Sequence, residues 1–368
     1  MLKNSHKSIK KLWPRSKSYT AFFKVHGISI TVCTNDKMAL NDISQEFSYF
    51  LTSERLDPRN TGTLFVGKSA RVRESIKRLE KKLPKANRNL LRLDNDYLLV
   101  SSSTGDPLTR KYVAQENSLI IKRDCQEVYL LGSSISRDEA VRNFLLIAIQ
   151  KLFNANILTF HASAVDVDGK GIMFPGEKGA GKTSLATEFM IRGAKCLAGN
   201  FSFVKSNHKP RILCCPNRMK IHISTLASYP MLSELVPKDW KKELRVRTLQ
   251  ELYYDERKLL VDPRMVWGEN VFKEDAELSL VLFPSLCPST KVLKISKLGK
   301  LEFENRLKLN MISTKVIDKF VPFGQPKYEA CLRQASKLTK KIIKHVRAYK
   351  IRAGGNLDQL TSELSKIL

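Results

Sequence analysis

The residues with the clearest chemical signature lie in the segment 176–183, which reads GEKGAGKT. This segment fits the phosphate-binding pattern G-x-x-x-x-G-K-[ST] at each fixed position. Lys182 is expected to reach the β- and γ-phosphates of a nucleotide, and the Thr183 hydroxyl is expected to bind Mg²⁺. The pattern predicts a site for ATP, or another nucleoside triphosphate, with Mg²⁺. The residues of that site are Gly176, Glu177, Lys178, Gly179, Ala180, Gly181, Lys182 and Thr183.

The sequence on either side of this loop predicts the elements that must position it. The apolar run 171–175 predicts a short buried strand, and residues 184–192 have a helical pattern that Gly193 would end. Glycines let successive backbone N–H groups turn toward a phosphate, and the helix adds the positive end of its dipole. The alternative is a glycine-rich turn between strand and helix in which the lysine occurs by chance.

The length and composition of the chain set limits on its class. With 368 residues, 42% of them hydrophobic, the chain is expected to form two domains, or one large domain with an appended one. It has no apolar run long enough for a membrane span, and its basic N-terminus lacks the apolar stretch of a secretory signal. A cytoplasmic protein is therefore expected. Seven scattered cysteines without a C-x-x-C pair predict neither a disulfide framework nor a zinc site.

The charge of the chain indicates the chemistry of its partners. Sixty-four Lys and Arg residues face thirty-six Asp and Glu residues, for a formal net charge of +28. Such a surplus suits an anionic partner: nucleic acid, an acidic protein or peptide, or a phosphorylated small molecule. It is also compatible with an organism whose proteins are generally basic. Nucleic acid is not favoured, because no aromatic-interleaved binding module accompanies the charge.

Four segments are expected along the chain. A flexible basic arm occupies residues 1–18, and an N-terminal α+β module rich in strands occupies 19–134. A nucleotide-binding domain follows at 135–325, and a basic helical segment at 326–368.

Within these segments, a pair of strands is predicted to turn at His26-Gly27. A helix is predicted to begin with a capping box between Ser136 and Glu139. The lysine- and arginine-rich stretch 68–92 is interpreted as a helix with a solvated basic face, and 327–350 as a long helix.

The stretch 158–171, which reads LTFHASAVDVDGKG and runs into the loop, resembles the catalytic domain of HPr serine kinase/phosphorylases. It resembles still more closely the HPr-kinase-like proteins of bacterial peptide-modification pathways. The shared features are a strand with His161, a turn at Asp-Gly, a second strand, the phosphate loop, and a helix that ends at Arg192-Gly193. The resemblance covers about residues 135–300.

This resemblance implies a P-loop-containing α/β fold related to phosphoenolpyruvate carboxykinase rather than to standard P-loop NTPases. It also implies transfer of the γ-phosphate of ATP to a serine hydroxyl on a peptide or protein, and it is compatible with a homo-oligomer. By position, His161 matches the family histidine beside the reacting phosphate. Lys182 and Thr183 keep the roles given above.

One departure from the family concerns the catalytic carboxylates. Where the family has Ala-Asp-Asp, with a general base and a metal ligand, this chain has Ala198-Gly199-Asn200. Asn200 can offer a carbonyl oxygen to hydrated Mg²⁺, but neither Gly199 nor Asn200 can accept a proton at neutral pH. The resemblance thus leaves His161, Lys182 and Asn200 as candidate catalytic residues, and Thr183 and Asn200 as candidate metal ligands.

Three outcomes remain open for the chemical step. His161 could act as the base, since the ordinary pKa of histidine lies near neutrality. A carboxylate from another segment could act instead, and the candidates are Glu251, Asp255, Glu256 and Asp262. In the third outcome the chain transfers no phosphate at all.

Three functions remain open for the chain as a whole. The first is an ATP-dependent, serine-kinase-like phosphotransferase that acts on a hydroxyl of a peptide or protein, with an acidic substrate expected from the charge. The second is a catalytically silent, nucleotide-binding regulatory or scaffold protein. The third is a nucleotidyl transferase or an ATP-binding protein associated with nucleic acid.

Overall fold

The computed structural model describes most of the chain. The described residues are 9, 18–54, 61–69, 74, 78, 85–87, 90–92, 97–100, 117–122, 125–206, 208–287, 292–319, 325–354 and 357–368. Nearly all of the basic arm and much of the stretch 68–92 lie outside them, so neither interpretation is tested. By internal contacts the chain divides into two units, Met1–Ala155 with Ser313–Arg333 and Asn156–Ile312 with Gln334–Leu368. This division falls about 20 residues after the boundary expected near residue 135.

The N-terminal unit is a mixed α/β structure. Its described elements are β1 (Tyr19–Val25), β2 (Ile28–Thr34), α1 (Lys37–Glu46), β3 (Leu51–Thr52), β4 (Thr61–Lys68), β5 (Lys85–Asn87), β6 (Leu90–Arg92), β7 (Tyr97–Val100), β8 (Asn117–Lys122), β9 (Glu127–Gly132) and α2 (Arg137–Asn154).

These strands form one sheet in the order β3-β1-β2-β4-β9-β8-β7-β6-β5, in which β2, β4 and β9 are parallel. The predicted turn is confirmed, since His26 and Gly27 have φ of 49° and 84°, as a two-residue hairpin requires. The capping box of α2 is also confirmed. This helix packs close to the sheet, because a Cβ at Gly62 would lie 2.4 Å from Ile147 Cγ2.

The C-terminal unit contains residues 176–183, a segment called the phosphate loop after the sequence pattern that it fits. Its strands are β10 (Ile157–Phe160), β11 (Ala162–Val167), β12 (Lys170–Pro175), β13 (Lys195–Ala198), β14 (Ser202–Ser206), β15 (Pro210–Leu213), β16 (Met219–His222), β17 (Lys258–Val261), β18 (Asp275–Leu286), β19 (Lys294–Lys297) and β20 (Arg347–Ala353). Its helices are α3 (Lys182–Ile191), α4 (Ile223–Ser228), α5 (Pro230–Ser233), α6 (Lys238–Val246), α7 (Leu249–Tyr253), α8 (Pro263–Trp267), α9 (Lys300–Leu309) and α12 (Leu357–Ser365). Two further helices, α10 (Ile312–Lys319) and α11 (Gln325–His345), extend across the division between the units.

The main sheet of this unit has the described order β10-β14-β15-β18-β12-β11-β13, and β20 joins β18. Strand β12 lies parallel to β18, and β18 lies parallel to β20. Residues 171–175 of β12 are all buried, as expected for a strand covered on both faces. Asp168 and Gly169, with φ of 50° and 87°, close the β11–β12 hairpin.

The prediction of a single helix over 327–350 is wrong at its end. Helix α11 ends at His345, and residues 347–350 belong to β20, where Leu282 pairs with Tyr349. The helical spacing of apolar residues continues to Val346, so the sequence pattern does not mark the change. Pairing with the buried strand β18 decides the structure of this segment.

No helix among the described residues combines the length and the apolar character needed to cross a membrane.

Candidate functional site

Several strands of the C-terminal unit end at one edge of the main sheet. Strand β11 is antiparallel to both β12 and β13, so the carboxyl ends of β12 and β13 lie at the same edge as the beginning of β11. The carboxyl end of β18 joins them, because β18 is parallel to β12. Ala162 pairs with Pro175 at the end of β12, and the N–H of the preceding residue, His161, donates a hydrogen bond to the Asn310 carbonyl at 2.8 Å. The carboxyl ends of parallel strands are where α/β sheets bind ligands.

Asn200 lies at this edge as well, opposite the point where β10 passes into β11. Phe160 of β10 pairs with Ser202, and Ala164 of β11 pairs with Ala198, so residues 161–163 lie opposite 199–201. The Ser163 hydroxyl donates a hydrogen bond to the Gly199 carbonyl at 2.7 Å. On the other side of Asn200, the Ser202 hydroxyl donates to the Ala162 carbonyl at 3.1 Å. The chain therefore brings His161, the phosphate loop and Asn200 to one edge from three separate segments.

The phosphate loop has the backbone conformation that its glycines allow. The strand and the helix predicted on either side are confirmed as β12 and α3. Gly179 and Gly181 have φ of 87° and 93°, in the left-handed region that favours glycine. Gly181 immediately precedes helix α3, so the loop leads directly to the helix N-terminus. The first N–H groups of a helix have no partner within it, and this end suits an anion.

Lys182 lies at the first position of α3, and only 7% of the residue is exposed. Its Nζ donates hydrogen bonds to the carbonyl oxygens of Gly176 and Glu177, at 2.9 and 2.8 Å. Burial, together with a smaller effect of the positive charge of Lys258, lowers the pKa of Lys182 to about 8, while Glu177 opposes the shift. Carbonyl oxygens neutralise a buried ammonium only in part, so this charge is available to an anionic ligand.

The two candidate metal ligands are accessible at the same edge. Thr183 is the second residue of α3, and Asn200 lies in the turn between β13 and β14. Both are partly exposed. A hydroxyl and an amide carbonyl are oxygen donors of the kind that Mg²⁺ accepts, with water completing its shell.

The absence of a carboxylate at residue 199 has a steric basis. A Cβ at Gly199 would lie 2.9 Å from Met219 Cγ and 3.3 Å from Asn217 Oδ1. Both of these neighbours are buried. The space into which an aspartate at this position would extend is therefore occupied by other side chains.

The carboxylates proposed from the sequence as a replacement base are Glu251, Asp255, Glu256 and Asp262. Glu251 forms a capping box with Thr248 at the start of α7. Asp255 accepts hydrogen bonds from Arg247 and Arg257, and Arg257 holds the pKa of that carboxyl well below its usual range. The backbone N–H of Thr248 lowers the pKa of Glu251 as well. Because a carboxylate with a lowered pKa is a weak base, these two residues serve local structure.

The remaining two carboxylates differ from each other. Asp262 caps α8 and pairs with Arg264, which lowers the pKa of Asp262. Glu256 forms an ion pair with Lys178 of the phosphate loop at 3.3 Å, with both side chains largely exposed. Of the four, Glu256 is thus the one that the described contacts connect to the loop.

Sequence reasoning did not identify two lysines near the loop, Lys220 and Lys258. They lie on β16 and β17, and neither segment was recognised as a strand. The signal available was a short alternation of apolar and basic residues in 219–222, which is too brief to be specific.

The pKa of Lys182 predicts a pH dependence for phosphate binding. Below pH 8 the ammonium is charged in the free protein, and affinity for a nucleoside triphosphate should be constant. Above pH 8 the free protein loses this proton, so affinity should fall by up to about tenfold per pH unit. Titration with a fluorescent ATP analogue at pH 7, 8 and 9, at fixed Mg²⁺ and ionic strength, measures this. Lys182→Arg should bind with little pH dependence, and a flat wild-type profile would contradict the assignment.

Comparisons with known proteins give limited information on this chain. No protein-family model matches it, and no curated protein matches it. Among solved structures, the Hpr(Ser) kinase/phosphatase from Coxiella burnetii aligns with 56% of this chain and 93% of that chain. The sequence identity is 14% and the TM-score is 0.29. A likeness this weak carries no functional weight, so the functional assignment rests on the residues and geometry of the site.

Proposed function

We propose that this chain binds a nucleoside triphosphate with Mg²⁺ at residues 176–183 and transfers the terminal phosphoryl group to a hydroxyl of a peptide or protein. The observation that carries this proposal is the buried Lys182 at the start of α3, directly after a loop in which Gly179 and Gly181 have positive φ. A lysine with a lowered pKa at a helix N-terminus is costly for the free protein, and an anionic ligand would offset that cost.

In this proposal the backbone N–H groups of the loop and of the first turn of α3 hold the phosphates. Lys182 neutralises charge on the β- and γ-phosphates, and Thr183 and Asn200 provide oxygen ligands for hydrated Mg²⁺. The bound Mg²⁺ would stabilise the negative charge that develops on the phosphate oxygens. The acceptor oxygen forms a bond to phosphorus as the bond to the β-phosphate oxygen breaks, and the hydroxyl proton passes to His161. ADP is the leaving group.

A second candidate is a nucleotide-binding protein without catalysis. The observation in its favour is Gly199, whose surroundings leave no room for a carboxylate, beside Asn200, which cannot accept a proton. Loss of a general base lowers rates by about a hundred- to ten-thousandfold. Such a protein would retain the nucleotide and use it as a signal.

Substitution of His161 separates these two functions. With ATP and Mg²⁺ in an extract of the source cell, His161→Gln should form labelled phosphoprotein about a hundredfold more slowly than the wild type. It should bind a fluorescent ATP analogue equally well. His208→Gln, which changes an exposed histidine in the β14–β15 turn, is the matched control. Equal product from wild type and His161→Gln would refute the role of His161, and no product from either would favour the silent protein.

A further inference from the structure

Strands β16 and β17 form a two-stranded antiparallel sheet, the β16–β17 pair, with one apolar and one cationic face. His222 pairs with Lys258 and Lys220 pairs with Leu260, so Lys220, His222 and Lys258 lie on the same face. Both lysines are exposed, whereas Ile221 on the opposite face is fully buried in the core of the unit. The apolar face packs on the core of the unit, and the outer face presents positive charge.

Contacts place the β16–β17 pair beside the phosphate loop. The Ser184 hydroxyl, in the first turn of α3, lies 2.7 Å from the hydroxyl of Thr225 in α4, the helix that directly follows β16. Glu256 lies just before Lys258, where β17 begins, and it forms an ion pair with Lys178 of the loop at 3.3 Å. The cationic face of the β16–β17 pair and the phosphate loop therefore lie at one corner of the C-terminal unit.

The charges of the described residues at this corner are only partly balanced. The lysines that meet there are Lys178, Lys182, Lys220 and Lys258, and the neighbouring carboxylates are Glu177, Glu256 and Asp255, of which Asp255 is ion-paired with Arg247 and Arg257. Partial loss of hydration lowers the pKa of Lys258, and the charges of Lys178 and Lys220 lower it as well. Lys258 also interacts electrostatically with Lys182. Like charges held together at a surface are characteristic of a site that binds an anion.

A nucleotide accounts for only part of this charge. The lysine of a phosphate loop reaches the β- and γ-phosphates, so Lys182 marks the end of the triphosphate from which the phosphoryl group leaves. Lys258 interacts electrostatically with Lys182 and with Lys220, which lies on the same face of the β16–β17 pair. The positive charge thus continues from the phosphate loop onto this pair of strands, where it can hold an anionic group other than the nucleotide.

We propose that Lys258 and Lys220 form a second anion-binding site, which holds acidic side chains of the peptide whose hydroxyl accepts the phosphoryl group. This inference rests on the proposed phosphotransferase function and names the class of its substrate. The β16–β17 pair selects an acidic acceptor and positions it, while the phosphate loop holds the nucleotide.

The test measures peptide binding by fluorescence anisotropy with a hydrolysis-resistant ATP analogue and Mg²⁺ present. The probes are a labelled peptide that alternates Glu and Ser and the same peptide with Gln in place of Glu. The wild type should bind the acidic peptide more tightly. Lys258→Gln and Lys220→Gln should each weaken that binding by about three- to tenfold and leave nucleotide affinity within about twofold. Lys195→Gln, which changes an exposed lysine at the opposite end of β13, should have no effect.

Three results would overturn this inference. The first is equal binding of the acidic and the Gln peptides by the wild type, and the second is acidic-peptide binding unaffected by Lys258→Gln and Lys220→Gln. The third is tighter binding of a labelled oligonucleotide, added as a competitor, at the same lysines, which would assign the site to nucleic acid instead. Failure of the wild type to bind the ATP analogue would refute the proposed function itself, which separates the two failures. Melting temperatures no lower than that of the wild type would show that the variants fold.

Discussion

Lys182→Met should weaken binding of a nucleoside triphosphate by about a hundredfold or more and yet make the unligated protein more stable. The ammonium that would hold the phosphates is lost, and charge-assisted hydrogen bonds of this kind contribute about 1.5–3 kcal/mol each. In the free protein the same ammonium is buried with a pKa lowered to about 8, so an apolar side chain of similar length removes a desolvation cost. The carbonyl partners, on Gly176 and Glu177, lie in a partly exposed loop and can accept hydrogen bonds from water.

The measurement combines nucleotide titration with thermal unfolding of the free protein. A gain of about 1 kcal/mol would raise Tm by about 2–4 °C for a unit of this size. Lys195→Met, at an exposed position on the same sheet, is the control and should change neither quantity appreciably. Unchanged nucleotide affinity in Lys182→Met would show that the loop does not bind phosphate, whatever its sequence.

Gly181→Ala should be the most destabilising substitution in the phosphate loop. The residue has φ of 93°, where a side chain costs about 1–2 kcal/mol. An added Cβ would lie 2.4 Å from Leu286 Cδ1 and 2.9 Å from Leu286 Cβ, and such overpacking costs about 1–3 kcal/mol more. We therefore expect a loss of about 2–5 kcal/mol in the free energy of unfolding. Because Leu286 N–H also donates to the Ala180 carbonyl, the displaced loop should bind nucleotide poorly.

Gly193→Ala separates the two causes. Gly193 has φ of 94°, but a Cβ there would meet nothing within 4 Å, so it should lose only the strain cost. Denaturant unfolding of both variants measures the difference, which reports the contact with Leu286. In a double-mutant cycle, Leu286→Ala should recover part of the loss in Gly181→Ala. Equal losses in the two glycine variants would contradict the steric explanation.

The structure of the phosphate loop could be predicted from the local sequence. Its glycines, its lysine and the apolar strand before it are adjacent in the chain, and local backbone preferences are enough to predict their order. The helix end at Arg192-Gly193 and the hairpins at His26-Gly27 and Asp168-Gly169 follow from the same preferences, because few residues other than glycine adopt positive φ at low cost.

The surroundings of the loop depend on residues far apart in the sequence. The tight packing of Met219 and Asn217 against Gly199 shows no trace in a sequence pattern, and neither does the role of Leu286 beside Gly181. Strand β20 was mistaken for the end of a helix, because residues 347–353 are extended through pairing with β18 and β19, which are distant in the sequence. Lys220 and Lys258 were not identified from the sequence for the same reason, since residues 223–257 separate β16 from β17 in the chain.

The sequence by itself determined the strand, the glycine-rich loop and the helix of residues 171–191, the mixed α/β class and the large positive charge, because each depends on local spacing or on composition. Only the tertiary structure decided which residues share the loop's corner. Phe160 pairs with Ser202 and Ala164 pairs with Ala198, which places His161 opposite the segment that contains Asn200, and the β16–β17 pair adds its lysines beside Lys182. Such placements depend on strand pairing and core packing between distant segments, and the free energies of those contacts exist only in the folded chain.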